Sequence, residues 1–140
     1  MTAQGEDVLA WLGSAIARRR AIAEAASPGP WESVGIGDYG WTVSVQRRDG
    51  GLETDDSDQG RADAEHVVAN APESVLRRCD ADRKLLEEHA PQQDGSGFPD
   101  SLQCRTCSQS GGDGYQYLVP FPCTTVRALA EGYGWAGGER

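Results

Sequence analysis

The sequence predicts an α+β fold, mainly helical, with a small antiparallel β-hairpin or sheet and a C-terminal helix clipped to the rest of the chain. Three observations carry this reading. Apolar residues recur at helical spacing in several separate stretches, whereas Trp31–Gln46 interleaves aromatic and β-branched residues with glycine. A Cys-x-x-Cys pair and a third cysteine then bracket the segment leading into the last helix.

The first element is a helix over about Glu6–Ala25, in which Val8, Leu12, Ala15, Ile16 and Ile22 form the apolar stripe. Acidic residues open it and Arg18, Arg19 and Arg20 sit late, both complementing the helix dipole. Ser27-Pro28-Gly29-Pro30 stops it, and Trp31 reads as a core anchor because large aromatics contribute most where they are buried. Trp31–Gln46 is the hairpin, with Thr42-Val43-Ser44-Val45 alternating as a half-buried strand does. Residues 48–60, with the acidic run Glu53-Thr54-Asp55-Asp56-Ser57-Asp58, read as a mobile solvated loop. Helical pattern returns at Ala62–Ala69 and again from Pro72 to about His89. In the second stretch Asn70 and Glu73 have N-cap and N3 spacing, and Val75, Leu76, Cys79 and Leu86 form the buried stripe. Pro91–Gln103 reads as loop and Tyr115–Val119 as a short strand. The last helix starts near Pro122, with Val126, Leu129, Ala130 and Tyr133 on one face.

Composition narrows the function classes. A chain of 140 residues suits one domain, but 18 glycines and 7 prolines leave less of it for the core, so a cross-link between irregular segments carries weight. A net charge of −9 argues against a nucleic-acid partner, since phosphate affinity comes from Lys and Arg. Such a balance suits a soluble protein, or one whose partner is basic. No apolar run is long enough to span a bilayer, and Met1–Asp7 lacks the pattern of a secretory signal. The expected location is the cytoplasm, where a Cys-x-x-Cys pair reads as metal or redox chemistry and not as structural disulfides.

Zinc favours thiolate and imidazole in a tetrahedral set, and structural sites use four protein ligands. Cys104-Arg105-Thr106-Cys107 supplies two sulfurs on one tight turn, and Cys123 follows after 15 intervening residues, a separation found between zinc-ligand pairs. A thiolate at the start of a helix is also stabilised by the positive end of the dipole. For the fourth ligand, Cys79 and His89 lie ten residues apart on one helix, about 15 Å along its axis, so at most one of them joins the site. Cys79 falls in the buried stripe, whereas His89 ends the helix beside the loop carrying the pair. The predicted ligands of a structural Zn2+ are therefore His89, Cys104, Cys107 and Cys123. Four ligands leave no open coordination position, so catalysis is not expected there.

Other matches fail on context. Gly35-Ile36-Gly37-Asp38-Tyr39-Gly40 fits a dinucleotide-binding pattern, but strand chemistry follows it where a helix is needed. Asp55–Gly60 lacks the ligands of a calcium loop. Arg18–Arg20 reads as a solvated helix face and His66 as an exposed helical histidine.

The residues Gly29-Pro30-Trp31, the run Asp63–Asn70 leading into Val75-Leu76, His89, Cys104–Cys107 and Pro122-Cys123-Thr124-Thr125 together resemble an uncharacterised family of small proteins of actinobacteria and their phages. The middle portion is also similar to Ead-type phage accessory proteins. The resemblance implies the same four ligands and no activity. The chain departs from it at Glu131-Gly132-Tyr133-Gly134-Trp135, where family members continue into an aromatic, charged tail. The expected function is a non-catalytic, zinc-stabilised interaction or regulatory module, possessing a protein partner. The alternatives are an acidic DNA mimic or docking factor for a basic partner, and a small redox protein using Cys104 and Cys107.

Overall fold

The computed structural model describes residues 2–46, 50–99, 101–110 and 116–136. Along them run α1 (Thr2–Ala25), β1 (Glu32–Ile36), β2 (Gly40–Ser44), β3 (Gly51–Asp55), α2 (Asp58–Ala69), α3 (Pro72–Glu88), β4 (Pro91–Gln93), β5 (Leu102–Cys104), β6 (Gln109–Ser110), β7 (Gln116–Tyr117) and α4 (Thr124–Gly132). The fold is mixed α+β, as the sequence predicts. Its strands form a three-stranded antiparallel sheet in the order β1-β2-β3 and two two-stranded antiparallel ladders, β4-β5 and β6-β7. The chain divides into two compact units, residues 18–79 and residues 1–17 with 80–140; α1 and α3 each contribute to both.

In the unit of residues 18–79, the three-stranded sheet packs against α2. Val43 and Val45 are buried and Arg61 of α2 stacks over the Trp41 ring at 5.3 Å, so the Trp41/Val43 side of β2 faces the helix. The dinucleotide-like glycines are explained here by hairpin geometry. Gly35 has φ +98 at the bulge that shifts the β1–β2 register between Ser33 and Gly35. The Gly37 N–H donates to the Gly40 carbonyl at 2.7 Å, closing the turn. Gly40 lies so close to β3 that a Cβ there would sit 1.6 Å from the Thr54 carbonyl oxygen.

Several expectations for this region are corrected. The predicted loop over 48–60 instead carries β3 and the start of α2; residues 47–49 lie outside the described residues. Ser57 is the α2 N-cap, its hydroxyl accepting from the Gly60 N–H at 2.9 Å, and Asp58 stands in the first turn, where negative charge complements the dipole. The acidic run is thus partly a helix-start signal. Asn70 does not open α3. It closes α2, its side-chain amide donating to the His66 carbonyl at 2.9 Å, while Ala71 accepts the first α3 bonds from Ser74 and Val75. Ile22 is 64% exposed, because the α1 stripe runs Val8, Leu12, Ile16, Ala23 and passes it by one position. Trp31 is half-buried, its indole N–H donating to the Ser27 carbonyl at 2.9 Å. His66 is exposed, as predicted.

In the other unit, Val8, Leu12 and Ile16 of α1, Phe121, and Val126, Leu129 and Ala130 of α4 supply the buried apolar side chains. The end of α4 is a Schellman closure: Gly134, with φ +100, donates to the Glu131 carbonyl and Trp135 to that of Ala130. This geometry sends Trp135 edge-on to Trp11, with ring centroids 5.1 Å apart. Tyr133 donates from its hydroxyl to the buried Asp82 carboxyl at 2.7 Å. Tyr133 and Trp135 thus tie the end of α4 into this unit. Replacing Tyr133 by Phe should cost about 1–3 kcal/mol in urea unfolding, because a buried carboxyl then loses one of its hydrogen bonds.

Candidate metal centre

Backbone pairing brings together ligands that lie far apart in sequence. His89 follows the last residue of α3, its N–H bonded to the Leu85 carbonyl at 3.0 Å, and β4 starts two residues later. In the β4-β5 ladder Pro91 stands opposite Cys104, which carries Cys104 back to the histidine. The segment before α4 lies along β5 in turn. The Cys104 N–H donates to the Val119 carbonyl at 2.7 Å and the Phe121 N–H to that of Leu102 at 3.1 Å, with Gln103 bridged to Pro120. Cys123 thereby reaches the same point as the α4 N-cap. Its backbone is extended (φ −75, ψ 173) and its side chain makes no capping bond, being turned to the cluster. The predicted loop over Pro91–Gln103 is thus corrected to a hairpin. Three-residue strands are too short to show a period, and their pairing comes from tertiary contacts.

The ligand atoms of His89, Cys104, Cys107 and Cys123 all lie within 4.8 Å of one another. The His89 Nδ1 stands 3.4, 3.5 and 3.6 Å from the sulfurs of Cys104, Cys107 and Cys123. Cys104 and Cys123 are buried and Cys107 is half-buried. Cys79 is buried and is not part of the group. The arrangement is capable of coordinating a metal ion.

Electrostatics in the cluster favour a cation. Burial pushes the Cys104 thiol up, but the Cys107 N–H and the His89 side chain outweigh it and bring it down to about 7. Burial and the neighbouring sulfurs of Cys104 and Cys123 push Cys107 up to about 11. Sulfurs this close resist sharing negative charge unless a positive ion stands among them.

Sequence reasoning missed one structural part. The two residues inside the Cys-x-x-Cys turn are more than spacers: Arg105 donates from its guanidinium to the Glu87 carbonyl at 2.9 Å, and the Thr106 hydroxyl donates to that of Glu88. Helices end with carbonyls lacking internal partners, and here the knuckle supplies donors to them. The Arg105 N–H adds a bond to the Ala90 carbonyl at 2.9 Å. The turn bearing two sulfurs is thus docked on the helix end that presents the imidazole. The donor-bearing character of Arg and Thr was the available signal.

Fold and site define a small α+β protein with a His/Cys3 cluster able to chelate a metal ion. The chain belongs to a family of unknown function, DUF6221, whose model matches residues 5–134. No curated protein and no solved structure matches it. Among the described residues, no helix is long and apolar enough to cross a membrane.

Proposed function

We propose that the protein is a non-catalytic interaction or regulatory module whose C-terminal part is held by one structural zinc ion on His89, Cys104, Cys107 and Cys123. The observation that carries this reading is the near-equal spacing of three sulfurs about one imidazole nitrogen, 3.4–3.6 Å. A tetrahedral zinc with sulfur at about 2.3 Å and nitrogen at about 2.0–2.1 Å has nitrogen–sulfur edges of about 3.6 Å. A thiol set with one imidazole suits zinc better than the hard cations, which take oxygen. Four protein ligands fill the coordination shell, which supports a structural role over a catalytic one.

The sequence resemblance adds a phage-related accessory role in an actinobacterial cytoplasm, and the acidic charge favours a basic protein as partner. Elemental analysis of the purified chain should find about one zinc per protein. Cys123→Ala should abolish it and Cys79→Ala should leave it unchanged. Folded, metal-free protein with a reversible Cys104–Cys107 disulfide would overturn the zinc reading in favour of redox chemistry.

A further inference from the structure

A cleft of about 380 Å³ opens in the unit of residues 18–79, and none of the metal-cluster residues lines it. Its wall is apolar, built from Ile22 and Ala23 of α1, Ala26 just after it, the Trp31 ring, and Pro72 and Val75 in the first turn of α3. Much of this wall is pre-formed. The Trp31 indole N–H is tied to the Ser27 carbonyl at 2.9 Å, which fixes the ring, and the alanines and proline have no rotamers to rearrange. Ile22, 64% exposed, sets a large apolar side chain at the mouth that the α1 stripe does not use. Arg19 and Asn70 complete the lining, and among the described residues no carboxylate lines it. Arg18, exposed one turn before Ile22, adds a second positive charge on that side of α1, whereas Arg20 is ion-paired with Glu24 at 2.9 Å. The run of three arginines is thus divided between an ion pair along the helix and the side of α1 that bears the cleft.

We infer that this cleft binds a small organic acid, an aromatic or branched apolar body carrying one carboxylate. Volume sets the size: pockets for small molecules run from roughly 300 to 1,000 Å³, so this one, near the lower end, suits a single ring on a short chain. Seating such a body against Ile22, Val75 and the Trp31 ring removes apolar surface from water on both partners, and a flat ring can stack on the indole. The head group follows from Arg19. A guanidinium takes a carboxylate through two parallel N–H···O bonds, and with five donors it does so beside any partner it already has. An amine in the same place would meet the charges of Arg18 and Arg19 and no lining carboxylate to offset them. A neutral ligand of the same shape would gain the apolar contacts alone.

The site stands apart from the zinc-held module proposed above, and its test does not pass through the metal. The full chain is titrated, under NMR observation of its backbone amides and indole N–H groups, with phenylbutyrate, with phenylbutylamine, which keeps the body and reverses the charge, with neutral phenylbutanol, and with acetate, which keeps only the head. Phenylbutyrate should shift the Trp31 indole N–H and the amides of Ile22, Ala26 and Asn70. Acetate should not, and the amine should bind about tenfold more weakly or worse. The net charge of −9 draws the amine to the surface in general, so a preference for the acid reports this cleft. Arg19→Gln should bring the acid down to the affinity of the alcohol and leave the alcohol unchanged. Ala26→Phe should fill the cleft and abolish binding of all three phenyl compounds. Should that variant fail to fold, Ile22→Gln, at an exposed position, should weaken all three severalfold. Equal or tighter binding of the amine, wild-type affinity for the acid in Arg19→Gln, or no shift at these groups overturns the site.

Discussion

Stripping the proposed zinc with a strong chelator should unfold the chain around the cluster. Structural zinc contributes about 10–16 kcal/mol of apparent binding free energy, comparable to or larger than the 5–15 kcal/mol that holds a typical domain together. The secondary structure around it is short: β4 and β5 are three residues each, and β6 and β7 two each. Hydrogen exchange should therefore show Pro91–Gln93, Leu102–Cys104 and Val119–Val126 losing protection on chelation. The sheet β1-β2-β3, which packs on α2, should keep its own. Protection unchanged throughout would mean that no metal holds these segments.

The second large effect is expected from Gly40→Ala. The new methyl would meet the Thr54 carbonyl oxygen at 1.6 Å and its carbon at 2.8 Å, and both are backbone atoms of the paired strand, unable to swing aside as a side chain would. Forcing β2 away from β3 should cost about 2–3 kcal/mol and lower the urea midpoint accordingly. Gly13→Ala supplies the contrast. Gly13 is exposed in the middle of α1 with nothing within 4 Å of a Cβ, so the substitution should stabilise by about 0.5–1 kcal/mol. If both variants behaved alike, the close β2–β3 approach would not exist in solution.

Much of the helical framework was legible in the sequence. The α1 and α4 stripes were, because Val8, Leu12 and Ile16, and Val126, Leu129 and Ala130, follow the helical period and are buried. The errors cluster where the pattern was local chemistry instead of period. The acidic run looked like a solvated loop because charge dominates it, while the Ser57 cap and the pairing of Gly51–Asp55 with Gly40–Ser44 are only apparent in three dimensions. Asn70 offered a plausible cap at either of two helix ends, and the α2–α3 turn gave it to the first.

For the candidate site, the sequence by itself determined which residues have metal-ligand chemistry. Thiols and an imidazole are recognisable from their identity and spacing, and a helix rise of about 1.5 Å per residue was enough to separate Cys79 from His89. What only the tertiary structure decided is how they meet. The β4-β5 ladder, the strip of backbone bonds from Val119 to Phe121, and the docking of Arg105 and Thr106 on the end of α3 set three sulfurs 3.4–3.6 Å from one nitrogen. The physical reason is that ligand identity is a property of single side chains. Ligand geometry comes from hydrogen bonds between separate segments, which bring together ligands up to 34 residues apart and which no local pattern records.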